Sequence, residues 1–328
     1  AENIILGEGP TLSADSTYTA SAADGLSIAT SSGSYVFTIS GIDAITYAIG
    51  KEVKYNSGIV KIGDTEYFTL TDAIAAAGEE DIITLMANID EAITISKEVT
   101  IAYNGFTLTG YTIAAKYCQS VATTADQLVI KSAIYEIKKS NGDISYSDAA
   151  FNSVITNASS NSVVKLLQDV DYNSTAYIQV YRNYTLDLNG HTLNITQGVT
   201  SGTKAEFLIN TANVTFTITS TAETRGKINV TNASTYHVFR ANKTGSTLVL
   251  SNVEVTSGSL IYSALADFAV SISNSEFNVT KSGGSGFIES RNTTAFTATN
   301  SKFYLQSNAL ILSMAIAGAT EDTFRSTF

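Results

Sequence analysis

The stretch AYIQVYRNYTLDLNGHTL (Ala176 to Leu193) has an earlier counterpart in AITISKEVTIAYNGFTL (Ala92 to Leu108). With Ile93 set on Ile178 the two run without a gap. Ile95 meets Val180, Val99 meets Tyr184, Ile101 meets Leu186, Asn104-Gly105 meets Asn189-Gly190, and Leu108 meets Leu193. Apolar and polar positions alternate through both copies, the period of strands that bury one face. Asn-Gly brings two residues that tolerate positive φ, and hence a tight turn. His191 falls opposite Phe106. A position that accepts phenylalanine is not reserved for acid–base chemistry, so His191 is read as a turn-flanking side chain, and His237 as a structural one.

The correspondence continues upstream with small insertions. TLTDAIAAAGEEDIITLMANI (Thr69 to Ile89) resembles SYSDAAFNSVITNASSNSVVKLLQDV (Ser145 to Val170). Each is expected to open a short helix on a hydroxyl cap, Thr71 or Ser147, and then to break into a strand, IITLM or VVKLL. A hairpin precedes each helix, around Gly63-Asp64 and around Asn141-Gly142. The module is hairpin, short helix and a series of strands, and the chain uses it twice.

Beyond Ile195 a shorter period takes over. LVLSNVEV (Leu248 to Val255), VSISNSEF (Val270 to Phe277) and FTATNSKF (Phe296 to Phe303) superimpose, with Asn252, Asn274 and Asn300 in register. FTITSTAETRGKINV (Phe216 to Val230) fits less well. Such spacings suit single coils of a parallel β-solenoid, in which stacked coils bury a column of apolar side chains that one coil could not bury alone. Asn at a repeated corner can then form a hydrogen-bonded ladder between coils about 4.8 Å apart. The expected class is all-β, with short capping helices and an N-terminal β section. The expected division is 1–58, 59–133 and 134–328.

Composition agrees. Charged residues are 15% of the chain, against about 25% for an ordinary soluble domain, and Ser, Thr and Asn supply the polarity. The longest apolar run, Ala309 to Gly318, is about half of what a membrane span needs. A net charge of −11 argues against nucleic acid and against an anionic membrane surface. One cysteine, Cys118, leaves no disulfide framework and no cysteine-based zinc site. This balance reads as that of an exported bacterial protein. The start at AEN without an initiator Met reads as a mature end, and the finish without a wall-sorting motif reads as part of a larger protein.

The string GDTEYFTLTDAIAAAGEEDIITLMANIDEAITISKEVTIAYNGFTLTG resembles a module of large surface proteins of Firmicutes, especially gut clostridia. That module opens right-handed parallel β-helices of the pectate-lyase-like superfamily. The resemblance covers roughly residues 59 to 110 and 134 to 195. It implies a right-handed parallel β-helix and a cell-surface setting, and carries no catalytic residues with it.

Candidate sites are few. Glu254 and Glu276 hold equivalent positions on successive coils, near the separation of a retaining glycosidase pair, but Lys302 continues the column and a solvated charge ladder is the simpler reading. Asp169 and Asp171 share a strand face and could touch calcium, although two carboxylates are too few for a hard cation. Tyr177, Gln179 and Tyr181 are expected to point outward beside Arg182, as a surface on which sugars could stack. Asn-x-Thr triplets, among them those at Asn194, Asn229 and Asn278, follow from Asn and Thr two apart on one strand face. No cofactor is expected. Two functions stay open. The first is a secreted, non-catalytic, adhesin-like scaffold for glycans or for host or neighbouring-cell surfaces, without nucleic-acid binding or membrane insertion. The second is a polysaccharide lyase or glycoside hydrolase on the same scaffold.

Overall fold

The computed structural model describes residues 26–31, 34–39, 45–48, 58–67, 69–174, 177–198, 205–231, 237–258, 260–263, 268–280, 288–290, 294–305 and 312–314. Strands dominate them, and the all-β class holds. The chain divides into two compact units, Ala1–Ala114 with Ala122–Lys131, and Ala115–Val121 with Ser132–Phe328. No helix among the described residues is long and apolar enough to cross a membrane.

The first unit begins with an antiparallel meander of β1 (Leu26–Ser31), β2 (Ser34–Ile39) and β3 (Ile45–Ala48). The hairpin β4 (Val60–Ile62) and β5 (Thr65–Tyr67) turns on Gly63, at φ 57°. Helix α1 (Leu70–Ala76) follows. Then come β6 (Ile82–Leu85), β7 (Ile89–Asp90), β8 (Thr94–Ile95), β9 (Val99–Ala102), β10 (Leu108–Thr109) and β11 (Thr112–Ile113). Three parallel pairs form, β6 with β9, β7 with β10 and β8 with β11. After β12 (Tyr117–Gln119), which belongs to the second unit, β13 (Gln127–Ser132) runs antiparallel onto β9 and ends the parallel series.

Helix α1 is capped two residues before the expected position. Thr69, not Thr71, is the N-cap: its extended backbone lets Oγ1 accept from the Asp72 N–H at 3.0 Å while donating to Asp72 Oδ2 at 2.6 Å. The earlier start buries Leu70 fully, and the burial decides the boundary. At the other end Lys97 Nζ donates to the carbonyls of Ile74, Ala75 and Ala77, placing a cation where the helix leaves oxygens unpaired.

The second unit repeats the plan and extends it. Its hairpin is β14 (Tyr135–Lys138) with β15 (Ile144–Ser147), and its helix is α2 (Phe151–Thr156). Ser147 does not cap that helix. Asp148 accepts from Ser120 Oγ and from the Val121 N–H, which keeps the chain extended to Ala150, the actual N-cap.

Strands then come in threes. The first triplet is β16 (Ser162–Leu166), β17 (Val170–Ser174) and β18 (Ile178–Val180). The second is β19 (Tyr184–Asp187), β20 (Thr192–Gln197) and β21 (Ala205–Ile209). The third is β22 (Thr215–Thr219), β23 (Gly226–Thr231) and β24 (His237–Ala241). The fourth is β25 (Thr247–Ser251), β26 (Val253–Ser257) and β27 (Ile261–Ser263). The fifth is β28 (Phe268–Ser273), β29 (Glu276–Val279) and β30 (Ile288–Ser290). The last is β31 (Thr294–Thr299), β32 (Lys302–Leu305) and β33 (Leu312–Met314). Each strand pairs in parallel with its counterpart in the next triplet, giving three parallel sheets, the first of them prolonged by antiparallel β14 and β15. That hairpin covers a strand edge that would otherwise invite foreign pairing.

Inward positions are apolar and closed to solvent: Phe216 and Ile218 on β22, Leu248 and Leu250 on β25, Leu193 and Ile195 on β20, Phe207 and Ile209 on β21. Each such side chain contributes about 1.5–3 kcal/mol by leaving water. Phe207 stacks on Phe239 at 5.4 Å and meets Phe216 at 5.4 Å, while Phe151 of α2 approaches it edge-on at 6.3 Å. Helix α2 thereby buries Phe151, Val154 and Ile155 in the same core. On β21 and β24 of the third sheet both faces carry buried side chains, Leu208 and Val238 opposite Phe207 and Phe239.

Corners between first and second strands carry asparagine. Asn189, Asn252, Asn274 and Asn300 sit at φ 49°, 55°, 51° and 47°, a left-handed conformation that Asn adopts at little cost. Asn104 of the first unit has φ 49°. Its Nδ2 donates to the Leu85 carbonyl at 3.3 Å, as Asn189 Nδ2 does to that of Leu166 at 3.1 Å. Glycine would meet the φ but not donate, which is why the corner is Asn. The next corner, before β23, needs the opposite property: a Cβ on Gly226 would lie 2.3 Å from Leu188 Cβ.

Candidate functional site

The outward face of the second sheet, β17-β20-β23-β26-β29-β32, carries two side-chain columns. One runs Thr192, Lys227, Glu254, Glu276, Lys302. The other runs Asp171, Asn194, Asn229, Thr256, Asn278, Tyr304. Neighbours within a column stand one strand spacing apart, about 4.8 Å, so like charges must be interleaved with partners.

Glu254 and Glu276 are directly paired in register, and each has its own cation. Lys227 Nζ lies 3.4 Å from Glu254 Oε2. Arg225 reaches past one strand to set Nη1 3.1 Å from Glu276 Oε2, while its Nε donates to the Asn274 carbonyl at 3.0 Å. Lys302 follows on β32. Exposed ion pairs of this kind contribute little singly; here they relieve the repulsion between stacked glutamates. Arg225 and Lys227 escape a reading by period, because the stretch from Phe216 to Val230 carries extra residues between β22 and β23.

In the second column the polar groups bond along the stack. Asn229 Nδ2 donates to Asn194 Oδ1 at 3.0 Å, and Asn194 Nδ2 donates to Asp171 Oδ1 at 2.8 Å. Asp169 Oδ1 accepts from the Thr192 N–H at 2.8 Å and faces His191 Nδ1 at 3.4 Å. The first unit has the same contacts with other residues: Asn88 Oδ1 accepts from the Thr107 N–H, and Asp90 Oδ1 from Thr109 Oγ1. Asp169 and Asp171 thus hold the next strand in both copies' manner. Among the described residues no group of three or more His, Cys, Asp or Glu side chains is placed to hold a metal ion.

The other candidates lie on and beside β18 and at the corners. Ile178 and Val180 are buried, and Tyr181 is 41% exposed. Gln179 Oε1 accepts from Asn210 Nδ2 at 3.3 Å, Arg182 Nη1 donates to the Ala158 carbonyl at 3.4 Å, and Tyr177 is half-buried. Asn300 Nδ2 donates to Asn274 Oδ1 at 2.7 Å. Asn252 donates instead to the carbonyls of Ser220 and Ala222, since the corner before it has no Asn to receive it. A second set of corner bonds uses serine: the Val253 N–H donates to Ser275 Oγ, and the Ser275 N–H to Ser301 Oγ.

Among the described residues two carboxylates lie inside, Asp187 and Glu206. Asp187, 2% exposed, accepts from the N–H groups of Asn189 and Thr221 at 2.9 Å each and from Thr221 Oγ1 at 2.6 Å. It ties its own turn to the following triplet. The first copy has Ala102 there, next to antiparallel β13.

Tyr135 and Tyr184 are the most deeply buried of the described tyrosines. Burial pushes the phenols of Tyr135 and Tyr184 well above the ordinary 10.0. The Tyr184 hydroxyl has no hydrogen-bond partner among the described residues. Folded protein therefore keeps these protons where unfolded chain loses them. The stabilisation is complete below pH 10 and is lost as the pH rises toward the raised folded values. Urea midpoints are expected to fall above about pH 10, and less steeply in a Tyr135→Phe/Tyr184→Phe variant. At neutral pH Tyr184→Phe alone is expected to stabilise by about 1 kcal/mol, having removed an unmatched hydroxyl.

An open cleft of about 420 Å³ lies where the second sheet begins, between β17 and the segment leading into α2. Asp148, Asn152, Gln168, Asp169, Asp171 and Tyr172 are among its walls. Asp148 and Asn152 are far from β17 in sequence, and no spacing rule brings them together. No protein-family model, curated protein or solved structure matches the chain.

Proposed function

We propose that this chain is a non-catalytic display scaffold, a right-handed parallel β-helix that presents ordered polar side chains to glycans at a cell surface. The carrying observation is the outward face of the second sheet, where amides, hydroxyls and charges repeat at one strand spacing and are held by bonds along the stack. A rigid, regular polar face suits a partner that is itself an extended repeat, and preorganised donors and acceptors lower the entropy cost of binding it. The resemblance to clostridial surface modules supports the same setting, outside the cell and within a larger adhesin-like protein.

Catalysis on the glutamate pair is the competing reading. A retaining glycosidase needs two carboxyls in contrasting environments, one to donate a proton and one to attack. Glu254 and Glu276 are instead both matched by cations, which favours a charge ladder. A glycan array combined with depolymerisation assays on pectin, alginate and mucin separates the two. Retention of glycans with no release of reducing or unsaturated ends is expected. Release that disappears in Glu254→Gln, Glu276→Gln or Asp169→Asn would replace the scaffold with an enzyme.

A further inference from the structure

We propose, resting on the glycan-binding reading above, that the cleft at the β17 end of the second sheet holds the terminal residue of a neutral oligosaccharide. Its volume of about 420 Å³ falls in the range of small-molecule sites, about 300–1,000 Å³. Its acceptors are positioned in advance. Asp169 and Asp171 flank the buried Val170 and so point to one side, their backbones about 7 Å apart along the strand. Each carboxylate is fixed through Oδ1, to the Thr192 N–H and to Asn194 Nδ2. The Oδ2 atoms have no partner among the described residues. Hydroxyl groups are the natural occupants of such oxygens, because O–H···O⁻ bonds are short and about twice as strong as neutral ones.

The remaining walls fit a sugar as well. Asn152 turns its Oδ1 to the Ser153 N–H, which leaves the amide nitrogen for a ring or hydroxyl oxygen, and exposed Gln168 adds a donor and an acceptor. Tyr172, on the face of β17 opposite the two aspartates, is half-buried beside Phe151 at 5.4 Å and closes the cleft on its inner side. Charge then sets the class. Three carboxylates line the cleft in a chain of net charge −11, so uronates and sulfated sugars meet like charge, and a neutral polyhydroxylated end does not. The cleft opens where the amide column of the same sheet begins, so a bound chain end would be followed by the strand-spaced polar groups.

The test is titration calorimetry of the whole chain with cellotetraose, mannotetraose, tetra-N-acetylchitotetraose and tetragalacturonate. At least one neutral tetrasaccharide is expected to bind, and tetragalacturonate at least tenfold more weakly. Asp169→Asn/Asp171→Asn is expected to weaken neutral binding tenfold or more and to narrow the gap to the uronate. Gln168→Ala, an exposed change outside the inter-strand bonds, is expected to weaken it several-fold and serves if the double variant does not fold. Binding of none of the neutral probes, or uronate binding equal to theirs, overturns the proposal. Neutral binding that is indifferent to the cleft variants but lost in Tyr181→Ala/Arg182→Ala also overturns it, while leaving the glycan-binding reading in place. Failure to retain any glycan on the wider array removes both.

Discussion

Phe207→Ala is expected to destabilise the second unit by about 3–5 kcal/mol, the cost of emptying an aromatic site in a core that cannot fully collapse. Phe207 is closed to solvent and lies between Phe239, Phe216 and Phe151, so its loss opens a void shared by two triplets and helix α2. Backbone hydrogen bonds hold the parallel strands at their spacing, and the void cannot be closed by sliding one strand toward the next. Urea denaturation followed by tyrosine emission, the chain having no tryptophan, reads the effect. Phe207→Leu, which keeps most of the volume, is expected to cost less than half as much. A loss under 1 kcal/mol for the alanine variant would mean that these rings do not form one packed column.

Asp187→Ala is the second large effect, expected at about 2–3 kcal/mol. The substitution removes the acceptor of the Asn189 and Thr221 N–H groups and of the Thr221 hydroxyl. Thr221 is exposed and Asn189 half-buried, so water takes up part of the loss and each bond counts for about 1 kcal/mol. Asp187→Asn keeps an acceptor for both N–H groups, and the Thr221 hydroxyl can turn to receive the new amide. Its expected cost is about 1 kcal/mol. Limited proteolysis around Thr221 should follow the same order, alanine well above asparagine and wild type. Equal behaviour of the two variants would show that Asp187 acts through charge and not through its hydrogen bonds.

The parts of this fold that can be read from sequence are those with a one-sided burial pattern. In LVLSNVEV and VSISNSEF the inward Leu, Val, Ile and Phe alternate with outward neighbours that are polar except for Val249, because the first and second sheets have one wet face. Among the third strands β18 keeps the alternation in IQV, but on β21 and β24 Leu208 and Val238 are buried on the face opposite Phe207 and Phe239, so period 2 fades, and variable connections shift their spacing. Helix starts failed for a related reason. A hydroxyl before an Asp is a sound local cue, but burial of Leu70 moved one boundary to Thr69, and the pull of Ser120 and Val121 on Asp148 moved the other to Ala150. Glu254 beside Glu276 was legible as a column. The cations that neutralise it were not, since Arg225 and Lys227 belong to the stretch least like its neighbours. The cleft was least legible of all, being built from β17 and a distant segment whose proximity is purely tertiary.

Strand direction works as a ruler in this protein. In the first unit the chain reverses at β13 and lies antiparallel on β9, so parallel growth stops after one repetition. In the second unit β22 returns in the same sense as β19, and counting goes on. Because each strand pairs only with its counterparts in the triplets before and after it, gain or loss of a whole triplet changes the length of the sheets while most strand pairings survive. The number of triplets thus sets the length of the outward polar face separately from the chemistry of each.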